Sequence, residues 1–118
     1  MAKFTEQDIL AKLKEHRFLI ERITEIEQKL RFEDYDDDEH KQRLENKLRL
    51  TKLETARLQR YIALIDPKCA GVLQAVYVFG KTYADYSDKL GITEDTAYKR
   101  RRKGIRDLTA VFNRAESL

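Results

Sequence analysis

The sequence predicts an all-α fold, in which a long antiparallel helical hairpin (coiled coil) is followed by a C-terminal unit of three helices. Three observations predict this class. The chain of 118 residues contains only four Gly and one Pro, fewer turn-forming residues than a strand-rich domain needs. Apolar residues recur at spacings of four and three along residues 1–65, which is the period of an amphipathic helix. Pro67, Gly80 and Gly91 then divide the rest of the chain into short segments.

The first two helices are each predicted from one apolar stripe. Thr5, with Asp8 three residues later, is typical of a helix start, and the first helix runs from there to about Arg31. The second helix runs from about Asp38, where acidic residues favour the positive end of the helix dipole, to Ile65.

These two helices are predicted to pack against each other. The acidic segment 33–39 interrupts the periodic pattern only briefly, and neither helix can bury its stripe alone. We therefore expect residues 1–65 to form a hairpin that oligomerises or binds a partner. His16 and two threonines, Thr51 and Thr55, fall within the stripes. The apolar residues predicted to line the seam are Ile9, Leu13, Ile20, Ile23, Leu30, Leu44, Leu48, Leu58 and Ile62.

Residues 66–118 are predicted to form a second domain of three helices. The residues that favour its helix boundaries are Asp66-Pro67, Thr82 and Thr93 at the starts, and Gly80 and Gly91 after the first two helices. The first of these helices is apolar and extends through Phe79. In the last helix the small residues Ala97 and Gly104 predict that the preceding helix approaches closely.

The charge distribution indicates which part of the chain meets a polyanion. The net charge is +3, but residues 1–40 hold 7 Lys/Arg against 12 Asp/Glu. Residues 41–80 hold 8 against 3, and residues 81–118 hold 9 against 6. A nucleic acid or another polyanion is therefore expected to bind the later part of the chain.

Several classes of protein are not expected. No apolar run is long enough to span a bilayer, and the first ten residues lack the apolar core of a signal peptide, so we expect a cytoplasmic protein. Cys69 is the single cysteine, and no nucleophile–base pair, phosphate-binding Gly loop or Cys/His cluster is present. We expect no enzymatic activity, no catalytic residue, no cofactor and no metal site.

The last helix, which begins at about Glu94, divides into two faces at 100° per residue. The face predicted to be packed contains Ala97, Arg101, Gly104, Ile105, Leu108 and Phe112. The opposite face contains Asp95, Lys99, Arg102, Lys103 and Arg106, of which all but the first are cationic. A helix face of one charge repels itself unless a polyanion meets it, which favours DNA over a basic face that only contacts solvent. A short helix, a Gly-containing turn and a longer helix are also the outline of a helix-turn-helix.

These residues carry a resemblance to a known family. The segment 83–101, YADYSDKLGITEDTAYKRR, resembles the promoter-reading fourth region of bacterial sigma factors. Residues 72–112 are similar to the sigma-like helix-turn-helix of small phage late-transcription regulators of the RinA/ArpU type. The resemblance rests on Leu90-Gly91-Ile92, Thr96-Ala97, and Gly104 with Leu108. Four positions depart from the family pattern: Tyr86 and Ser87 replace Ile and Ala, Ala97 replaces Val, and Gly104 replaces Ala.

The resemblance implies roles for individual residues. It implies base reading by Glu94, Asp95 and Lys99, which suits carboxylate contacts with cytosine and Lys contacts with guanine. Acidic residues in a first helical turn are also stabilising without DNA, so both interpretations of Glu94 and Asp95 stay open. The residues predicted to contact phosphate are Thr82, Thr93, Arg100, Arg102, Lys103 and Arg106, with Tyr98 at the edge of the reading face.

The sequence thus leads to three hypotheses about function. The first is a phage-encoded, sequence-specific regulator of transcription that acts in the bacterial host cytoplasm. It would bind double-stranded DNA as a homodimer, with RNA polymerase or another regulatory protein as a possible further partner. The second is the DNA-recognition subunit of a phage packaging complex, similar to a small terminase. The third is a coiled-coil interaction module that does not bind DNA.

Overall fold

A computed structural model describes residues 3–32 and 37–116 of the chain. Within these ranges every regular element is helical, which confirms the all-α class. The elements are α1 Glu6–Phe32, α2 Asp38–Ile62, α3 Pro67–Leu73, a π-helical segment Gln74–Val78, α4 Tyr83–Leu90 and α5 Glu94–Ala115. None of the described helices combines the length and the apolar character that crossing a membrane requires. Most of the predicted break between the first two helices, residues 33–36, lies outside the described residues.

Side-chain caps begin the helices where the sequence predicted them. Before α1, the Thr5 backbone N–H donates to the Asp8 carboxylate (2.8 Å) and the Asp8 N–H donates back to the Thr5 hydroxyl (3.2 Å). Thr82 accepts from the backbone N–H of Asp85 at the start of α4. Thr93 caps α5 in the same way. Each cap satisfies a backbone donor that the helix itself leaves unpaired.

The predicted end of the second helix is wrong by three residues. α2 ends at Ile62 rather than Ile65, because Asp66 has a non-helical backbone (φ −48°, ψ 127°) and caps α3 with its side chain. A residue that precedes proline avoids the helical conformation, so the chain must leave α2 before Asp66-Pro67. Ile65 is nevertheless buried.

The predicted α-helix through Phe79 is also wrong in its last part. α3 widens after Leu73 into the π segment, in which the Phe79 N–H donates to the Gln74 carbonyl five residues earlier (3.0 Å). The Lys81 N–H then donates to the Ala75 carbonyl (2.8 Å), and Gly80 adopts a positive φ of 69°. The hydrogen bond from Phe79 to Gln74 thus encloses one residue more than the corresponding bond of an α-helix.

One hydrophobic core joins all parts of the molecule. It contains Ile9 and Leu13 from α1, Leu58 and Ile62 from α2, and the buried stripe of α5. The predicted domain boundary at residue 66 stays a prediction, but the core extends across it.

The N-terminal residues attach α1 to α5. The Phe4 ring meets the Phe112 ring edge-on, with centroids 5.5 Å apart. The Asn113 side chain accepts from the Phe4 N–H (2.7 Å) and donates to the Phe4 carbonyl (3.1 Å). The start of α1 is therefore anchored on the last turns of α5.

Gly104 lies against α3. A Cβ atom at this position would stand 3.2 Å from Leu73 Cδ1 and 3.3 Å from Cys69 Cβ, so the absence of a side chain lets α3 and α5 pack closely. The expectation that Gly104 accommodates the preceding helix, α4, was wrong. α4 has only eight residues and meets the first turns of α5 through Tyr83 on Tyr98.

The predicted seam residues differ in burial along α1 and α2. Gln59 of α2 contacts His16 of α1, and Lys52 of α2 contacts Glu27 of α1. The two helices therefore run in opposite directions. The side chains of α1 and α2 are most buried near the core, where α3 and α5 also contact these two helices. Ile9, Leu13, Leu58 and Ile62 are buried, Ile23, Leu30, Leu44 and Leu48 are half-buried, and Ile20 is 39% exposed.

His16 is fully buried between α1 and α2. The Gln59 amide nitrogen lies 3.0 Å from His16 Nε2 and donates to it, so the neutral ring carries its proton on Nδ1. Within the described residues Nδ1 has no hydrogen-bond partner. Burial lowers the pKa of His16 below its ordinary value of 6.5, because the charged ring would lose its hydration.

This burial predicts a loss of stability in mild acid. Below pH 6.5 the unfolded chain binds a proton at His16 that the folded chain excludes, so the free energy of unfolding falls as the pH falls. We expect urea unfolding between about pH 5 and pH 8 to show this slope in the wild type and a smaller one in His16→Leu. His40→Ala, at an exposed position, serves as the control. If the free energy of unfolding depended on pH equally in the wild type and in His16→Leu, the pKa shift would not belong to His16.

Candidate nucleic-acid interface

A tight turn connects α4 to α5. Gly91 ends α4 in the left-handed conformation with φ 66°, and the Ile92 N–H donates to the Ser87 carbonyl (3.0 Å). Thr93 then begins α5, so the connection spans residues 91–93. A residue with a Cβ atom adopts this φ only with strain, which explains glycine here.

The exposed side of α5 carries cations opposite its buried stripe. Ala97, Gly104 and Leu108 are buried, whereas Arg102 and Arg106 are exposed. Neither of these two arginines forms an ion pair with an acid of the described ranges. The burial of one face therefore directs these guanidinium groups to the other.

The two lysines of this face are paired, unlike the arginines. Lys99 Nζ lies 3.3 Å from the Asp95 carboxylate. Lys103 Nζ lies 3.0 Å from Asp107 and 3.9 Å from Asp66 at the start of α3. The face is thus more mixed in charge than its composition alone indicated. Exposed pairs of this kind contribute roughly 0–1 kcal/mol, so a phosphate or a base can replace the acid at small cost.

Arg101 belongs to the packed side of α5. Its Nε–H donates to the Tyr77 hydroxyl (2.9 Å), which ties α5 to the π segment. Burial raises the pKa of Tyr83 to about 12, so this phenol stays protonated at neutral pH. The helical phase of Arg101 placed it on the packed face, but its tyrosine partner was not predicted. Tyr77 and Tyr83 were the feature of the sequence from which a hydroxyl partner for Arg101 could have been predicted.

Two aromatic rings connect α4 to the exposed side of α5. The ring centroids of Tyr83 and Tyr98 are 4.3 Å apart and their planes are inclined by 32°. Tyr98 remains 42% exposed. The start of α4 and the first turns of α5 therefore form one continuous surface.

The other predicted contact residues lie at the edges of this surface. Glu94 is exposed and Arg100 is half-buried. Thr82 and Thr93 are exposed, and each hydroxyl accepts a backbone N–H as a helix cap. The Thr82 hydroxyl keeps its own hydrogen, which can be donated to a phosphate oxygen, whereas the Thr93 hydroxyl also shares a hydrogen bond with the Thr96 hydroxyl (2.9 Å).

Comparisons with protein-family models, with curated proteins and with solved structures found no match. The function is therefore inferred from the geometry of the site. Among residues 3–32 and 37–116, no three His, Cys, Asp or Glu side chains come together in a way that would hold a metal ion.

Ser87 is a buried polar residue of α4. Within the described ranges its hydroxyl has no hydrogen-bond partner. An unsatisfied buried hydroxyl destabilises the folded state, and alanine at this position would remove it.

We therefore predict that Ser87→Ala increases the free energy of unfolding by about 1 kcal/mol. Chemical denaturation measures this change, and the circular dichroism spectrum should stay the same. Asp88→Ala, one residue further along α4 and exposed, controls for the helix propensity of alanine. A loss of stability in Ser87→Ala would show that the hydroxyl has a partner after all.

Proposed function

We propose that the chain is a sequence-specific double-stranded DNA-binding regulator of transcription that inserts α5 into the major groove. In this proposal α4, the Gly91 turn and α5 act as a helix-turn-helix of the sigma-like kind. One observation carries it: Lys99, Arg102 and Arg106 are exposed on the side of α5 opposite its buried stripe. They begin about one turn after the start of the helix, where a major-groove reader needs them.

Base reading is assigned to the first turns of α5. Lys99 is long enough to donate to guanine O6 and N7, and Asp95 or Glu94 can accept from cytosine N4. Asp95 and Lys99 hold each other at 3.3 Å in the unbound protein, which keeps both side chains on the same face. Because the pair is exposed, its exchange for base contacts costs little.

Phosphate binding is assigned to cations on either side of the reading residues. Arg102 and Arg106 have no acidic partner within 4 Å among the described residues, so their full charge is available to the DNA backbone. Arg100 and Lys103 flank them, and Tyr98, Thr82 and Thr93 can donate hydroxyl hydrogens. Such contacts fix the orientation of the protein on DNA without reading its sequence.

The remaining part of the proposal concerns α1 and α2. We assign to them the role of a hairpin that joins two copies of the chain or presents a surface to RNA polymerase. Their half-buried residues far from the core, among them Leu30 and Leu44, and the exposed Phe18 and Phe32 support this role. Two copies would double the contacts with DNA and impose a half-site spacing.

The decisive experiment is selection of binding sites from random duplex DNA, followed by titration of the selected duplex across a salt series. We expect a recurring sequence and an affinity that falls as the salt concentration rises. No binding even at low salt would overturn the proposal in favour of an interaction module. A complex of about eight or more copies in light scattering would favour a packaging subunit.

Two substitutions separate base reading from phosphate binding. Lys99→Ala should cost about 1–3 kcal/mol on the selected duplex and relax the preference at one base position. Arg102→Ala should weaken binding to selected and random duplexes alike and flatten the salt slope by about one. Arg43→Ala, an exposed cation on α2, is the control for loss of charge. Equal losses on both duplexes for Lys99→Ala would refute its base-reading role.

A further inference from the structure

Arg17 of α1 contacts the segment before α4. The guanidinium group of Arg17 lies over Gly80, where a Cβ atom would stand 2.6 Å from both Cζ and Nη1 and 3.0 Å from Nη2. The guanidinium thus fills the space that a side chain at residue 80 would occupy. Gly80 also has a φ of 69°, a backbone conformation that favours glycine.

No acid of the described residues explains this position of Arg17. Arg17 is exposed and forms no ion pair within the described part of the chain. The nearest acid along the α4 segment, Asp85, pairs with neither Arg17 nor Lys81. An arginine held against a backbone without a carboxylate keeps its charge available to an anionic ligand.

Lys81 adds a second cation beside this contact. Its side chain is exposed, while its backbone N–H is fixed by the hydrogen bond to the Ala75 carbonyl (2.8 Å). Gly80 and Lys81 are consecutive residues, so the Arg17 guanidinium lies next to the residue that carries the second cation. We call this surface, formed by Arg17, Gly80 and Lys81, the α1 patch.

Contacts and adjacent residues link the α1 patch to α5. Lys81 is followed by Thr82 and Tyr83, and the Tyr83 ring packs on Tyr98 of α5 at 4.3 Å. Tyr98 is adjacent in sequence to Lys99. The first residue of α4 therefore connects the α1 patch to the first turns of α5.

We infer that the α1 patch binds the phosphate backbone of the duplex that α5 enters, beyond the edge of the major groove. This inference rests on the proposed function and extends the DNA contact to a helix outside the helix-turn-helix. The guanidinium group offers paired N–H donors that match two oxygens of one phosphate, and Lys81 supplies a point charge. Each neutralised phosphate releases counterions and contributes about 0.9 to the salt slope.

The backbone that carries Arg17 is fixed in the unbound protein. Arg17 follows His16 on α1, and His16 and Leu13 are both fully buried. The ordering needed when DNA binds is therefore that of the Arg17 and Lys81 side chains alone. A phosphate held here would also fix the direction in which α1 and α2 leave the DNA.

The test compares Arg17→Ala with Arg22→Ala. Arg22 is exposed on the same helix, about 140° around its axis from Arg17, and its loss changes the net charge equally. We expect Arg17→Ala to reduce affinity for selected and random duplexes alike and to flatten the salt slope by about one. Arg17→Ala with Lys81→Ala should flatten it by about two, whereas Arg17→Lys and Arg22→Ala should keep the wild-type slope.

The outcomes distinguish this inference from the proposed function. If Arg102→Ala flattens the slope and Arg17→Ala does not, the α1 patch is not a phosphate site, and the proposed function stands. If the wild type binds no duplex at all, the proposed function fails and the inference fails with it. Thermal unfolding checks that Arg17→Ala is folded. If Arg17→Ala is not folded, Lys81→Ala, at an exposed position, provides the test instead. A wild-type salt slope for Lys81→Ala would then overturn the inference.

Discussion

The orientation of α5 depends on the burial of one stripe along its length. Gly104 lets Leu73 and Cys69 of α3 come within 3.2–3.3 Å of the position a Cβ would take, and Phe112 packs under the rings of Phe4 and Tyr61. These contacts fix the rotation of α5 about its own axis. They therefore also fix which side chains point outward, so the position of the exposed cations follows from the packing of the opposite side.

The charges of that surface are paired only in part. Lys99 and Lys103 each have an acidic neighbour four residues away, whereas Arg102 and Arg106 have none among the described residues. The lysine pairs limit self-repulsion along the helix, and water screens them strongly. The two arginines keep the exposed side of α5 cationic.

The parts of the structure that depend on local chemistry could be predicted from the sequence. Thr5, Thr82 and Thr93 cap helices within three residues of themselves, and Gly91 ends α4, so a short stretch of sequence contains all the information needed. The buried stripe of α5 follows equally from its helical period.

Features that depend on distant residues could not be predicted. Arg17 over Gly80 and Asn113 on Phe4 join residues far apart in the chain, and no periodicity links them. The pairing of Lys103 with Asp66 depends on how α3 meets α5. The π segment was not predicted because its composition is that of an ordinary α-helix. Its wider turn depends on the contacts that hold the two ends of the segment in place, and these involve distant residues.

The π segment has a consequence for how the chain tolerates changes in length. Its hydrogen bond from Phe79 to Gln74 encloses one residue more than an α-helical turn. Deleting any single residue of Gln74–Val78 would let the turn close as an α-helix, in which four residues cover nearly the rotation that five cover in the wider turn. Gly80 would then stay near its place beneath Arg17, and Tyr83 near Tyr98. The wide turn thus takes up one residue of chain length with little change in the phase between the two ends of the molecule.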